Sequence, residues 1–73
     1  MTAKEMEAAV EATLNVLFHR EGVDDVPFDE LYQTLKHREP RATESGREAV
    51  KETLVAMEAA NKVMHREGRI HLI

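Results

Sequence analysis

Cysteine is absent from this 73-residue chain, and so is tryptophan. Without cysteine there is no disulfide, no thiolate nucleophile and no Cys-based zinc site, which fits an intracellular setting. No stretch approaches the roughly 18 consecutive apolar residues of a membrane span. The N-terminal MTAKEMEAAVEA also lacks the apolar core of a signal peptide. Aromatics are scarce, with two Phe and one Tyr, so the interior has to be filled mainly by Leu, Val and Met. Only two prolines and three glycines punctuate the chain, and the long stretches between them are rich in Ala and Glu. That composition points to helices. A chain of this length makes one domain, residues 1–73, and buries only about 60–65% of its unfolded surface. Little room is left for a strained, buried polar site.

Positive charge is also scarce where a nucleic-acid binder would need it. The formal net charge is −4. Residues 1–40 carry four Lys/Arg against nine Asp/Glu, and residues 41–61 carry three against four. Only residues 62–73 invert the balance, with three against one. The acidic part repels a phosphate backbone, and the C-terminal twelve residues are the stretch able to attract one.

The triplet His-Arg-Glu occurs three times, as HREG at 19–22, HREP at 37–40 and HREG at 65–68. The intervals are 18 and 28 residues, so no fixed period marks a repeat architecture. The flanking patterns explain the triplets as element ends. Met6, Val10, Leu14, Leu17 and Phe18 form one apolar stripe of a helix from about Ala3 to Glu21. Thr2 and Glu5 have the capping-box spacing at its start, and Gly22 follows its basic last turn. VDDVPF, residues 23–28, is too short and too acidic for a helix and supplies one brief strand. A second helix spans about Phe28 to Arg38, with Phe28, Leu31, Tyr32 and Leu35 on one side. Pro40 disfavours helical geometry at Glu39 and ends it. The third helix runs from about Ser45 to Ala60, with Val50, Leu54 and Met57 inward and Ser45 and Glu48 spaced as a second capping box. Val55 lies about 140° from Val50 on the helical wheel and points outward.

The tail, NKVMHREGRIHLI, changes to a period of two. A two-residue turn at Glu67-Gly68 predicts a hairpin pairing Arg66 with Arg69, His65 with Ile70, Met64 with His71 and Val63 with Leu72. Three helices, a short strand between the first two and a C-terminal two-stranded wing make a mostly α chain in winged-helix order. The second and third helices would then form a helix-turn-helix.

Asn61, Val63, Met64, Glu67, Gly68, Ile70, Leu72 and Ile73, with Val50, Leu54 and Met57 behind them, carry a resemblance. This third of the chain resembles the extreme C-terminus of the third-subunit family of the eukaryotic minichromosome maintenance (MCM) replicative helicases. The chain departs from that pattern in its basic His65, Arg66, Arg69 and His71. The resemblance implies a winged helix excised from the end of an AAA+ ATPase subunit, with Met1 and Thr2 an added start. It implies a nuclear, non-catalytic docking module that acts in helicase loading at replication origins. Its implied partners are the origin recognition complex with its loading ATPase, and the parent MCM hexamer. No Walker motif occurs in this stretch.

Other chemistries compete poorly. His65 and His71 fall on opposite faces of the predicted hairpin, with no HExxH and no i,i+4 histidine pair, so they read as solvent-edge side chains and not as a metal site. Asp24 with Asp25 and Asp29 with Glu30 are adjacent for ordinary reasons of loop and helix start, and a catalytic pair needs a pocket that separates its pKa values. Neither an enzyme nor a cofactor is expected. Before and along the start of the third helix, Arg41, Arg47 and Lys51 are offset by Glu44, Glu48 and Glu52, which disfavours base readout. Two surfaces remain. One is the outward face of the third helix, Glu48, Lys51, Glu52, Val55 and Ala59, suited to a protein partner. The other is Lys62, Arg66, Arg69 and His71 on one face of the wing, suited to phosphate or an acidic partner. Their ordinary reading is a solvated face neutralised by Glu67 or by the acidic first half. A weak, salt-sensitive backbone contact to DNA through the wing is the alternative function, and a small regulator dimerising through the first helix is a third.

Overall fold

The computed structural model describes residues 1–20 and 22–73. The chain forms α1 (Ala3–Phe18), β1 (Val26–Pro27), α2 (Phe28–Arg38), a 3-10 turn (Pro40–Thr43), α3 (Gly46–Ala59), β2 (Val63–Arg66) and β3 (Arg69–Leu72). It is thus a mostly helical fold with a small three-stranded antiparallel sheet in the order β1-β3-β2.

Each helix begins and ends for local reasons. Thr2 caps α1 through a full capping box: its hydroxyl accepts from the Glu5 N–H at 3.1 Å, and Glu5 accepts from the Thr2 N–H at 3.0 Å. The helix stops at Phe18, ahead of the end expected from the sequence: the Arg20 N–H turns to the Leu17 carbonyl, three residues back, at 3.4 Å, and side chains add to the last carbonyls. The His19 ring nitrogen meets the Asn15 carbonyl, and Arg20 Nε donates to the Leu17 carbonyl at 3.1 Å. Glu21, the expected end, lies outside the described residues. Helix α2 carries Asp29 and Glu30 in its first turn and Lys36, His37 and Arg38 in its last, each set complementing the helix dipole.

The second capping box expected from the sequence does not form. Ser45 makes no side-chain cap bond, and its φ −88°, ψ 6° is not the extended conformation that aims an N-cap hydroxyl at the helix. The physical cause is the 3-10 turn just upstream, which the sequence reading did not anticipate and which delivers the chain to α3 already coiled. At the other end of α3, Asn61 adopts a left-handed φ of 60°. There the N–H groups of Asn61 and Lys62 return to the carbonyls of Glu58 and Met57, closing the helix before β2.

The core joins the predicted stripes. Met6, Val10, Leu14 and Leu17 of α1 meet Leu31 and Leu35 of α2, Val50, Leu54 and Met57 of α3, and Val26, Val63 and Ile70 of the sheet. Burying each such side chain contributes about 1.5–3 kcal/mol. Phe18 and Tyr32 pack on the edge of this core, and Ala60 is exposed. Thr13 is buried and satisfied, its hydroxyl donating to the Ala9 carbonyl at 2.8 Å.

The hairpin register is the one predicted, pair for pair, with Arg66 opposite Arg69. The partner of β1 is the new element: Val26 pairs with Ile70 and Pro27 with Arg69. The Phe28 N–H continues this ladder to the Gly68 carbonyl at 2.8 Å. The hairpin tip is therefore fastened to the start of α2 instead of projecting freely. No helix among the described residues is long and apolar enough to cross a membrane.

Candidate docking surface

Helix α3 presents three faces. Val50, Leu54 and Met57 point into the core. On a second side Arg47 and Lys51 lean over aromatic rings of α2: the Arg47 guanidinium lies 4.5 Å from the Tyr32 ring centre, and Lys51 Nζ lies 5.6 Å from that of Phe28. Phe28 in turn stacks on the His65 ring of β2, with centroids 5.9 Å apart and planes 20° apart. His65 is half-buried in this stack, which corrects the expectation of a solvent-edge histidine. The predicted register already put His65 on the face of Val63 and Ile70, but its stacking partner could not be read from the sequence, because Phe28 and His65 meet only through the fold.

The third side faces water. Glu48, Lys51, Glu52, Val55 and Ala59 are all exposed, so the residues predicted as a protein-binding surface do share one side of α3. Val55 is 65% exposed. Lys51 reaches back to Glu48 at 3.6 Å, and this pair flanks Val55 without covering it.

The hairpin cations have a different fate. Lys62 donates to Glu7 at 3.1 Å and to Glu11 at 3.4 Å, both on α1. Those two carboxylates, Glu7 first, raise the Lys62 pKa. Arg66 pairs with Glu58 of α3 at 2.5 Å. Arg69 turns the other way, to Asp25 at 2.6 Å. The like charges of Arg66 and Arg69 sit directly across the strands, as the register requires, yet each guanidinium has its own carboxylate. Neutralisation comes from α1, α3 and the loop before β1; Glu67 takes no part among the described ion pairs. His71 is half-buried on the same hairpin face.

Glu58 does more than balance charge. In the hairpin register His65 directs its backbone N–H and C=O away from β3, to the open edge of the sheet. Glu58 accepts from that N–H at 2.9 Å, and Arg66 donates to that carbonyl at 2.9 Å. A carboxylate–guanidinium pair thus covers the edge groups of β2 that would otherwise invite another strand. The His65 N–H, then Arg66, hold the Glu58 carboxyl below its ordinary pKa.

Asp24 and Asp25, and Asp29 and Glu30, are not assembled into an acid–base pair: Asp25 holds Arg69, Asp29 holds Arg47 and Glu30 holds Arg20. Among the described residues no group of three or more His, Asp or Glu is placed to hold a metal ion. No family model, curated protein or solved structure matches the chain.

Proposed function

We propose that this chain is a non-catalytic winged-helix docking module that binds a protein partner through the outward side of α3 and the adjoining hairpin. The order of elements supports that fold, with α2, the 3-10 turn and α3 as the helix-turn-helix and β2–β3 as the wing. The resemblance of residues 61–73 to the C-termini of third MCM subunits supports the same reading. On that reading it is part of a nuclear AAA+ helicase subunit, and its partners are the origin recognition complex with its loading ATPase and the MCM hexamer.

The carrying observation is the exposed Val55 on a charge-balanced helix face. A helix that reads DNA needs uncompensated cations at that position, and here Glu48 and Glu52 stand beside it. Phosphate contact through the wing is the weaker reading, because Lys62, Arg66 and Arg69 are each engaged by a carboxylate of the chain.

The test is capture of the purified origin recognition complex and its loading ATPase by the immobilised domain, with and without Val55→Asp. Capture by the wild type, lost in a variant of unchanged melting temperature, supports the reading. Equal capture by Val55→Asp removes α3 from the interface, and no capture by either chain removes the proposed partner. Anisotropy of fluorescent duplex DNA at low and physiological salt tests the wing directly. Binding that disappears in Arg66→Glu, Arg69→Glu would replace protein docking with phosphate contact.

A further inference from the structure

Glu67, at the tip of the hairpin, stands where the fold has no use for it. It holds the first central position of the turn at φ 53°. Asn, Asp and Gly tolerate that left-handed conformation, and an ordinary L residue is strained in it. The side chain is exposed and takes part in no ion pair among the described residues. Yet an arginine stands on either side of the turn.

The arginines at this end of the molecule are already taken. The bond from the Phe28 N–H to the Gly68 carbonyl brings the first turn of α2 up to the hairpin tip. There Arg66 turns to Glu58, Arg69 to Asp25, Arg47 to Asp29 and Arg20 to Glu30. Each of those four carboxylates has its guanidinium, and Glu67 is left over. A cation for it has to come from another molecule. Solubility does not call for it, since the net charge is already −4. Asp in its place would carry the same charge on a residue that tolerates the turn. Glu adds one carbon of reach, on a tip fastened to α2.

We propose, on the reading of the hairpin as part of a protein-docking surface, that Glu67 is a specificity-determining contact of the wing. Its ligand is a lysine or arginine on a basic segment of the partner protein, held by a charge-assisted hydrogen bond. The same carboxylate turns away duplex DNA. A phosphate approaching the wing meets Glu67 at the tip, beside two arginines that are already paired.

The experiment is an amide-resolved NMR titration of the chain with a synthetic twelve-residue peptide of alternating Lys and Ala, run in parallel with a twelve-base-pair duplex. The largest peptide-induced shifts are expected at residues 66–69. Glu67→Gln should bind about two- to fivefold more weakly, the span of one exposed ion pair. Glu67→Asn should lose the same affinity while its melting temperature rises, a split that a merely structural role would not give. Glu39→Gln is the control: Glu39 is also exposed and outside the ion pairs, at φ −142°, and its loss should leave the tip shifts unchanged. Absence of peptide shifts overturns the assignment, as do shifts centred elsewhere or equal weakening by Glu67→Gln and Glu39→Gln. So does duplex binding by the wild type centred on the tip. The titration uses no origin protein, so a failed capture experiment removes the docking partner and leaves this result standing. Capture lost in Val55→Asp, together with a negative titration, removes Glu67 alone.

Discussion

Replacing Glu67 by Asn should make the domain more stable, although the side chain touches nothing that the change would improve. Glu67 and Gly68 are the two central residues of the hairpin turn, with φ of 53° and 74°. Both are left-handed, the geometry of a type I′ turn, whose first position favours Asn. An ordinary L residue held there costs about 1 kcal/mol relative to one that tolerates the conformation. The turn has no freedom to relax, because the Gly68 carbonyl is bound to the Phe28 N–H at 2.8 Å. The gain is about 1 kcal/mol, within a total of roughly 4–11 kcal/mol for a chain this long. For a domain of this size that is about 4–8 °C in melting temperature. Thermal and urea unfolding followed by circular dichroism would measure it. Two further variants isolate the cause. Glu67→Gln removes the charge without supplying a left-handed residue, and should gain little. Asn61→Ala introduces the mirror-image error at φ 60° and should lose about 1 kcal/mol. A gain in Glu67→Gln equal to that in Glu67→Asn would show that charge, not backbone conformation, governs this turn. That outcome would refute the reasoning.

Three more expectations follow from contacts already described. Thr2→Ala should lose about 1 kcal/mol, whereas Ser45→Ala should be nearly neutral because Ser45 caps nothing; equal losses in melts of the two variants would contradict the cap geometry. Glu5 and Glu58 both have lowered pKa values, Glu5 through hydrogen bonding to the backbone and then the side chain of Thr2, Glu58 through the His65 N–H and then Arg66. Their stabilisation is present above the ordinary carboxylate pKa and lost as pH falls through the folded-state values, while Lys62, raised by Glu7 and Glu11, stabilises below the ordinary lysine pKa and loses this as pH rises through its folded value. Melting temperatures across pH should decline at both extremes, and Glu58→Gln should flatten the acid side. Val55→Asp should change stability by no more than about 0.5 kcal/mol, read from the same melts that qualify it for the capture experiment.

The sequence was most informative where interactions are local. The alternation from Val63 to Leu72 about a two-residue turn determined the hairpin register, because a slip of one residue would expose Val63 and Ile70. The helical stripes were legible for the same reason, as was the exposure of Val55. Thr2 and Ser45 show where a motif stops being enough. Both start a Ser/Thr-x-x-Glu pattern, but only Thr2, at ψ 163°, arrives at its helix extended. The conformation of Ser45 is determined by the 3-10 turn before it, which two prolines and a single Tyr did not announce. The acidic first half does neutralise Lys62 and Arg69, as one reading of the sequence had it, but Glu58 as the partner of Arg66 and the individual pairings were not legible. Lys62 meets Glu7 across 55 residues and Arg69 meets Asp25 across 44, and no period in the sequence encodes such distances.

The two residues of β1 give the sheet a particular order of events. A hairpin such as β2–β3 forms by itself in roughly 1–10 μs, since its partners are neighbours in sequence. Val26 reaches Ile70 only after α2, the 3-10 turn and α3 have been laid down between them, and its pairing has to repay a long loop closure. The third strand is therefore the latch of the domain, engaged last and, by microscopic reversibility, the first pairing of the sheet to open. The amide of Phe28, bound to the tip of the hairpin, becomes a single-site reporter of that latch, exchanging with solvent through its opening and sooner than the amides of the buried helix centres.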